Sequence, residues 1–391
     1  PTTPQSNNNP HPNTTQKPPR VRPTPLIGYG YGLVTNHPVA HPTRDASPDK
    51  TNPTTRTTHN MTTTGAKITR SAGLDSAIDT GMAQVEQLLR EQLAQGETFL
   101  SDKVQHLAFA GGKRFRPMFA LLASQYGTRP GNPDVIKAAA VVEMTHLATL
   151  YHDDVMDEAA YRRGVKSANA RWSNSVAILA GDYLLAHASH LMAQLGTETV
   201  AHFADTFGEL VTGQMRETLG AEDRDPIEHY MDVIKEKTGV LIASAGYLGS
   251  LHAGAQPGHI EALRGFGADI GIIFQIVDDI IDIYSTPEES GKTPGTDLRE
   301  GVFTLPVLYA LAEDTAVGEE LRGLLTGPLT NDDDVARALD LLAQTTGRQR
   351  ALEQVYAYRD SANNWLEQLP ADAPATGALR ELMAFTIERV G

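Results

Sequence analysis

The chain of 391 residues has no cysteine, which excludes disulfides, thiolate metal sites and a thiol nucleophile. That absence fits a reducing compartment, and a cytoplasmic location is expected. Long apolar runs are missing too. The best candidate for a membrane span, residues 239–255, is broken by Gly, Ser and His and falls short of the roughly 20 apolar residues a span needs. The first residues lack the charged-then-apolar pattern of a secretory signal. Basic charge is scarce, with 33 Lys and Arg against 48 Asp and Glu and a net charge of −15. The imbalance is uneven: residues 1–72 hold eight basic and two acidic residues, so all the negative excess lies beyond them. An acidic body would be repelled by phosphate backbones, so nucleic acid is not an expected partner. It suits an enzyme that gathers its few cations where a phosphorylated substrate binds.

Proline is abundant in one place only, with twelve of the 23 in the first 60 positions, among Thr, Asn and His. Residues 1–72 are therefore expected to be disordered, because they cannot bury enough apolar surface to offset their ordering entropy. Met61 is the first methionine, and a native start there is expected; N-terminal sequencing of natively expressed protein would test it. From residue 73 to 391 the pattern is helical. Residues 77–95 are amphipathic and end at Gly96, and residues 117–126 end at Gly127. Asn132-Pro133 offers an N-cap with proline at the first helical position, opening a run to Asp157. Further helices are expected over 168–190, 199–218, 229–250, 258–283, 303–313, 330–344, 347–368 and 375–389. Period-2 alternation of β-branched residues is scarce, so no sheet is expected, and the fold class is a single all-α bundle of ten or more helices.

Two acidic patterns stand about a hundred residues apart: Asp153-Asp154-Val155-Met156-Asp157 and Asp278-Asp279-Ile280-Ile281-Asp282. In each, the first and last Asp lie one turn apart on one helix face. A lone DDxxD is most simply a solvated helix face. Here both follow apolar runs, Leu147 to Tyr151 and Ile272 to Val277, that read as buried. Carboxylates massed at the end of a buried helix repel one another and are costly to desolvate. A cation is the natural compensation, and Mg²⁺, an oxygen-liganded ion often shared with substrate phosphates, fits best.

Cations cluster near these motifs. Gly111-Gly112-Lys113-Arg114-Phe115-Arg116-Pro117 sets three of them at a glycine turn before a helix, an arrangement suited to an anion or simply to a solvated loop. Arg162 and Arg163 follow the first acidic cluster and suit either metal-bound phosphates or structural neutralisation of the aspartates. His146 lies two turns before Asp153, as a phosphate donor or a neutral core histidine. Lys237-Thr238-Gly239 interrupts a helical stretch with a cation and a hydroxyl, and Gln275 sits one turn before Asp279.

Together these pieces resemble the trans-isoprenyl diphosphate synthase (polyprenyl synthetase) family, over roughly residues 80–390. The matching text is GGKRFRP, HLATLYHDDVMDEAAYRRG, EKTG, FQIVDDIID and GKTPGTDLREG-FTLP. The resemblance implies the isoprenoid-synthase type of helical bundle around a central cavity. It implies a prenyltransferase that condenses an allylic diphosphate, such as farnesyl diphosphate, with isopentenyl diphosphate. By that resemblance Lys113, Arg116, His146 and Arg163 bind the diphosphate of isopentenyl diphosphate. Asp153, Asp154, Asp157, Asp278, Asp279 and Asp282 hold Mg²⁺ against the allylic diphosphate, which Arg162, Lys237 and Lys292 also contact. Thr238 and Gln275 line the developing cation. Two departures stand out: Val302 occupies a place where many members have Lys, and Glu217 one where Asp is commoner. The family also implies a homodimer, and peripheral membrane contact for product release.

In this family bulky aromatics four and five residues before the first Asp block the tunnel and give short products. Those positions are Thr149 and Ala148, both small. The resemblance therefore implies a long-chain product beyond twenty carbons, for example a quinone side chain, with a geranylgeranyl-length product as the alternative. A terpene cyclase would carry a second metal motif with Asn and Ser and would lack GGKR. A regulatory subunit would have lost acidic or basic positions that this chain keeps.

Overall fold

A computed structural model describes residues 72–95, 98–286 and 293–390. The expected tail up to residue 71, Met61 and Lys292 lie outside the described residues. Sixteen α-helices are described: α1 (Ala72–Leu93), α2 (Thr98–Ala108), α3 (Phe115–Ser124), α4 (Pro133–Met156), α5 (Ala168–Arg171), α6 (Asn174–Leu195), α7 (Thr197–Leu219), α8 (Pro226–Ile234), α9 (Val240–Ala253), α10 (Pro257–Tyr284), α11 (Thr296–Glu300), α12 (Leu305–Leu311), α13 (Ala316–Leu324), α14 (Asp332–Leu342), α15 (Gly347–Leu366) and α16 (Pro374–Glu388). A π-helical turn, Lys235–Gly239, joins α8 to α9. The all-α expectation holds.

Two helices carry the architecture. α4 starts where the sequence predicts, with the Asn132 side chain accepting from the Asp134 backbone N–H and Pro133 at the first helical position. It is buried on nearly all sides, through Val135, Ala138, Val142, Leu147 and Tyr151 among others, because α3, α6 and α9 all lie against it. Each fully buried leucine of this kind contributes roughly 2 kcal/mol over an exposed one. α10 is held between α9 and α15. Gly271 lets the backbones meet, since a Cβ there would stand 2.8 Å from the Gly239 Cα. A second, smaller core of Leu298, Val307, Leu321, Val335 and Leu341 lies under α11 to α14. The acidic motifs occupy the C-terminal turns of α4 and α10.

The structure corrects the sequence reading in four places. A small antiparallel hairpin, β1 (Tyr161–Arg162) and β2 (Val165–Lys166), stands where no sheet was expected. Its strands are too short for alternation to register, and its two-residue turn, Arg163 at φ 53° and Gly164 at φ 78°, has the positive angles of a type I′ turn. The helices α2, α11 and α13 were not anticipated. The segment expected as one helix over 168–190 is two, because Trp172 and Ser173 leave helical geometry and Ser173 caps α6 by accepting from the Val176 N–H at 3.3 Å. Finally, among the described residues α6, and not residues 239–255, is the helix long and apolar enough to cross a membrane, with a mean hydropathy of 1.2. It turns Ala177, Ala180, Gly181, Leu184, Ala188 and Leu191 into the bundle.

Candidate active site

The first acidic cluster closes α4. Asp154 is fully buried and its Oδ1 accepts from the Arg162 Nε at 2.6 Å, while an Arg162 Nη2 lies 3.8 Å from Asp157. The hairpin turn places Arg162 there, and the Asn169 amide ties α5 to the Asp154 carbonyl at 2.9 Å. Asp154 Oδ2 is buried with no hydrogen-bond partner. Burial pushes the Asp153 carboxyl up to about 6 against the opposing charge of Lys237, and Asp154 and Asp157 move the same way for the same cause.

The second cluster closes α10, and its three carboxylates have different surroundings. Asp278 Oδ1 meets the Arg389 Nη1 at 2.9 Å. Asp279 is buried; its Oδ1 accepts from the Gln275 Nε2 at 3.0 Å and its Oδ2 from the Tyr230 hydroxyl. Burial drives it to about 7, opposed by those two hydrogen bonds. Asp282 accepts from the backbone N–H groups of Thr296 and Asp297 at 3.2 Å, which fastens the start of α11 to it. Glu300, at the end of α11, is pushed up by burial and feels the charges of Asp157 and Asp282, one from each cluster.

Between them stands the π turn. An extra residue in the turn widens the helix and projects its side chains, a geometry frequent at functional sites. Lys237 contacts Glu217 of α7, and Thr238 Oγ1 donates to Gln275 Oε1 at 3.3 Å. The Glu217 departure therefore keeps a carboxylate against Lys237.

The expected basic residues divide. Arg116, His146 and Arg163 come together: the Arg116 Nε is buried without a partner, and the guanidiniums of Arg116 and Arg163 add to burial in holding His146 well below the usual histidine range. His146 is thus a neutral imidazole, able to donate one hydrogen bond. Lys113 is exposed on the same loop. Arg163 donates to the carbonyls of Leu107 and Gly111 at 3.1 and 2.7 Å. Arg114, from the same GGKR motif, is structural. It reaches Glu86 at 2.5 Å, the buried Glu143 at 2.7 Å and the Ala108 carbonyl at 2.5 Å. Ala148 is fully buried and Thr149 half-buried on α4, with the Thr149 hydroxyl returned to the His146 carbonyl at 2.9 Å. Val302 is exposed. Sequence reasoning missed Tyr230, Glu300 and Arg389; the first two sit near motifs, but Arg389 reaches Asp278 from over a hundred residues away.

The donor set suits a hard divalent ion. It offers carboxylates penalised by burial and, at Asp154 Oδ2, an orphaned buried oxygen. Among the described residues no three such groups already converge on one point.

The polyprenyl synthetase family model matches residues 97–342. Nonaprenyl diphosphate synthase of Mycobacterium tuberculosis is 53% identical over 317 residues, covering 81% of this chain and 94% of the relative. A geranylgeranyl pyrophosphate synthase from Corynebacterium glutamicum, solved with calcium and isoprenyl diphosphate, is 67% identical; the match covers 82% of this chain and 98% of that one with a TM-score of 0.76. A decaprenyl diphosphate synthase from Rhodobacter capsulatus is 32% identical over 82% of this chain and 99% of its own, with a TM-score of 0.74.

Proposed function

This chain belongs to the polyprenyl synthetase family and is a prenyltransferase, and from that premise we propose that it adds successive isopentenyl diphosphate units to an allylic diphosphate, using Mg²⁺, to an all-trans product beyond twenty carbons. The observation that carries the chain length is the small, buried Ala148 beside Thr149, one turn below Asp153. The 53% identity to a nonaprenyl diphosphate synthase supports it. The competing reading, a geranylgeranyl-length product, is favoured by the 67% identity to the Corynebacterium glutamicum synthase.

In the proposed reaction Asp153, Asp154 and Asp157 face Asp278, Asp279 and Asp282 across the allylic diphosphate. Mg²⁺ held there would offset the charge that grows on the leaving diphosphate. Lys237 and Arg162 add fixed positive charge to the same group, preorganised so that nothing must reorient as charge develops, and Lys292 is proposed to contact it too. Arg116, Arg163, Lys113 and the neutral His146 hold the diphosphate of isopentenyl diphosphate, a reading supported by the Arg116 Nε, which is buried without a partner. Thr238 and Gln275 present their oxygens near the carbon that becomes cationic, and the apolar wall below them excludes water. The double bond of isopentenyl diphosphate attacks that carbon, a proton leaves to the released diphosphate, and no protein nucleophile is needed.

The test is product analysis with purified protein, farnesyl diphosphate, excess labelled isopentenyl diphosphate and Mg²⁺. Products beyond twenty carbons, abolished by chelator, are expected; products that stop at twenty establish the alternative, and inactivity of folded protein would point to a subunit awaiting a partner. Ala148→Phe is expected to shorten the product by several isoprene units while initial turnover falls less than about tenfold, because the ring projects into the tunnel and not into the diphosphate site. Unchanged product length would remove the tunnel from Ala148.

The dimer is proposed on a surface observation. α6 and α7 expose Ile178, Leu179, Val211, Met215 and Leu219, each over 40% accessible, and exposed apolar residues gathered on neighbouring helices mark an interaction face. Sedimentation equilibrium is expected to give twice the chain mass.

A further inference from the structure

We propose that Tyr230 is a positioning residue for the metal cluster of α10, acting through Asp279; the inference rests on the prenyltransferase reading above. Asp279 has both carboxylate oxygens engaged by side chains, one by the Tyr230 hydroxyl of another helix and the other by the Gln275 amide, whereas Asp282 is held at both oxygens by the backbone N–H groups of Thr296 and Asp297. The Gln275 oxygen is taken in turn by the Thr238 hydroxyl. A chain of hydrogen bonds thus runs from the π turn through Gln275 and Asp279 to Tyr230 on α8. Asp279 is 2% exposed and Asp278 35%. Tyr230 thereby fixes the orientation of Asp279 within the cluster that would hold the ion.

An anchor matters here because α10 ends two residues past Asp282, and terminal turns fray unless tied down. Tyr230 supplies the tie from a different helix. Its phenol also lies beside the backbone N–H of Leu305, where α12 begins. Groups that orient metal ligands in this indirect way are worth 10–100-fold in metal affinity.

Tyr230→Phe removes the hydroxyl and keeps the ring. The probe is Mn²⁺, titrated into the full chain with inorganic diphosphate present and followed by the electron paramagnetic resonance of the free ion. Tyr230→Phe is expected to weaken Mn²⁺ binding 10–100-fold, with the stoichiometry kept and the melting temperature within a few degrees of wild type. 4-Aminophenylalanine at position 230, which restores a donor at the same place, is expected to recover the affinity. Unchanged affinity in Tyr230→Phe overturns the proposal, whatever happens to the melting temperature, since a purely structural tyrosine would lower stability alone. If Tyr230→Phe does not fold, 4-methylphenylalanine fills the hydroxyl volume without a donor and is read by the same criterion. Failure of this test leaves the prenyltransferase reading intact, because product formation by the wild-type protein is measured separately.

Discussion

Asp153→Asn is expected to lower the rate of product formation about a thousandfold or more while leaving the fold intact. Asp153 ends the buried face of α4, and burial raises its pKa to about 6, so the apolar surroundings disfavour its charge without a cation. Asparagine keeps the volume and one oxygen but removes the charge that would draw Mg²⁺ and hold Lys237 in the site. A thousandfold loss corresponds to about 4 kcal/mol at 1.36 kcal/mol per decade, within the several kcal/mol a catalytic ion supplies. Single-turnover measurement with farnesyl diphosphate separates this from slower product release. A loss under tenfold at saturating Mg²⁺ would take Asp153 out of the metal site.

The second large effect concerns stability. Arg114→Leu is expected to destabilise the protein by roughly 3–5 kcal/mol, the cost of leaving one partner of a buried ion pair alone. Glu143 is 2% exposed and Arg114 10%, so the remaining carboxylate would have little water and no ion-paired partner, only the charges of Arg116 and Arg163 nearby. For a domain of this size that corresponds to a fall in melting temperature on the order of 10 °C. Adding Glu143→Leu is expected to restore most of the loss, since an apolar pair often replaces a buried ion pair at little cost. Lys113→Ala, one residue away on the exposed loop, is expected to leave the melting temperature nearly unchanged. Differential scanning calorimetry on the four proteins decides the matter, and equal melting temperatures would make the Arg114 pairing energetically idle.

The contrast between Lys113 and Arg114 also shows what one dimension can hold. A glycine turn with three cations is plain in the text, but which cation serves the fold depends on Glu86 and Glu143, 28 and 29 residues away, and no local pattern encodes that pairing. Helix ends with a local cause were legible: Asn132-Pro133 places the start of α4 to the residue, and the acidic motifs end their helices as their spacing implies. The hairpin was not legible, because two-residue strands have no period and their stability comes from Arg162 gripping Asp154. The break before α6 falls at Trp172-Ser173, where a single serine cap outweighs helix propensity. Tyr230 hid for another reason: its partner Asp279 lies 49 residues on, and a lone tyrosine in a helical stretch carries no local signal of it. The π turn left only a trace, a Lys-Thr-Gly interruption in an otherwise helical stretch.

That turn has a consequence for the geometry of α8 and α9 as one rod. An α-helix advances about 100° per residue, and a π turn inserts one residue without ending the helix, so the two halves are out of phase by about that angle. Tyr230 before it and Ile242 after it therefore present to α10 from angular positions that a continuous α-helix could not provide together. The insertion acts as a phase shifter: one helix can carry a hydroxyl to the acidic end of α10 and still lay an apolar face along its middle.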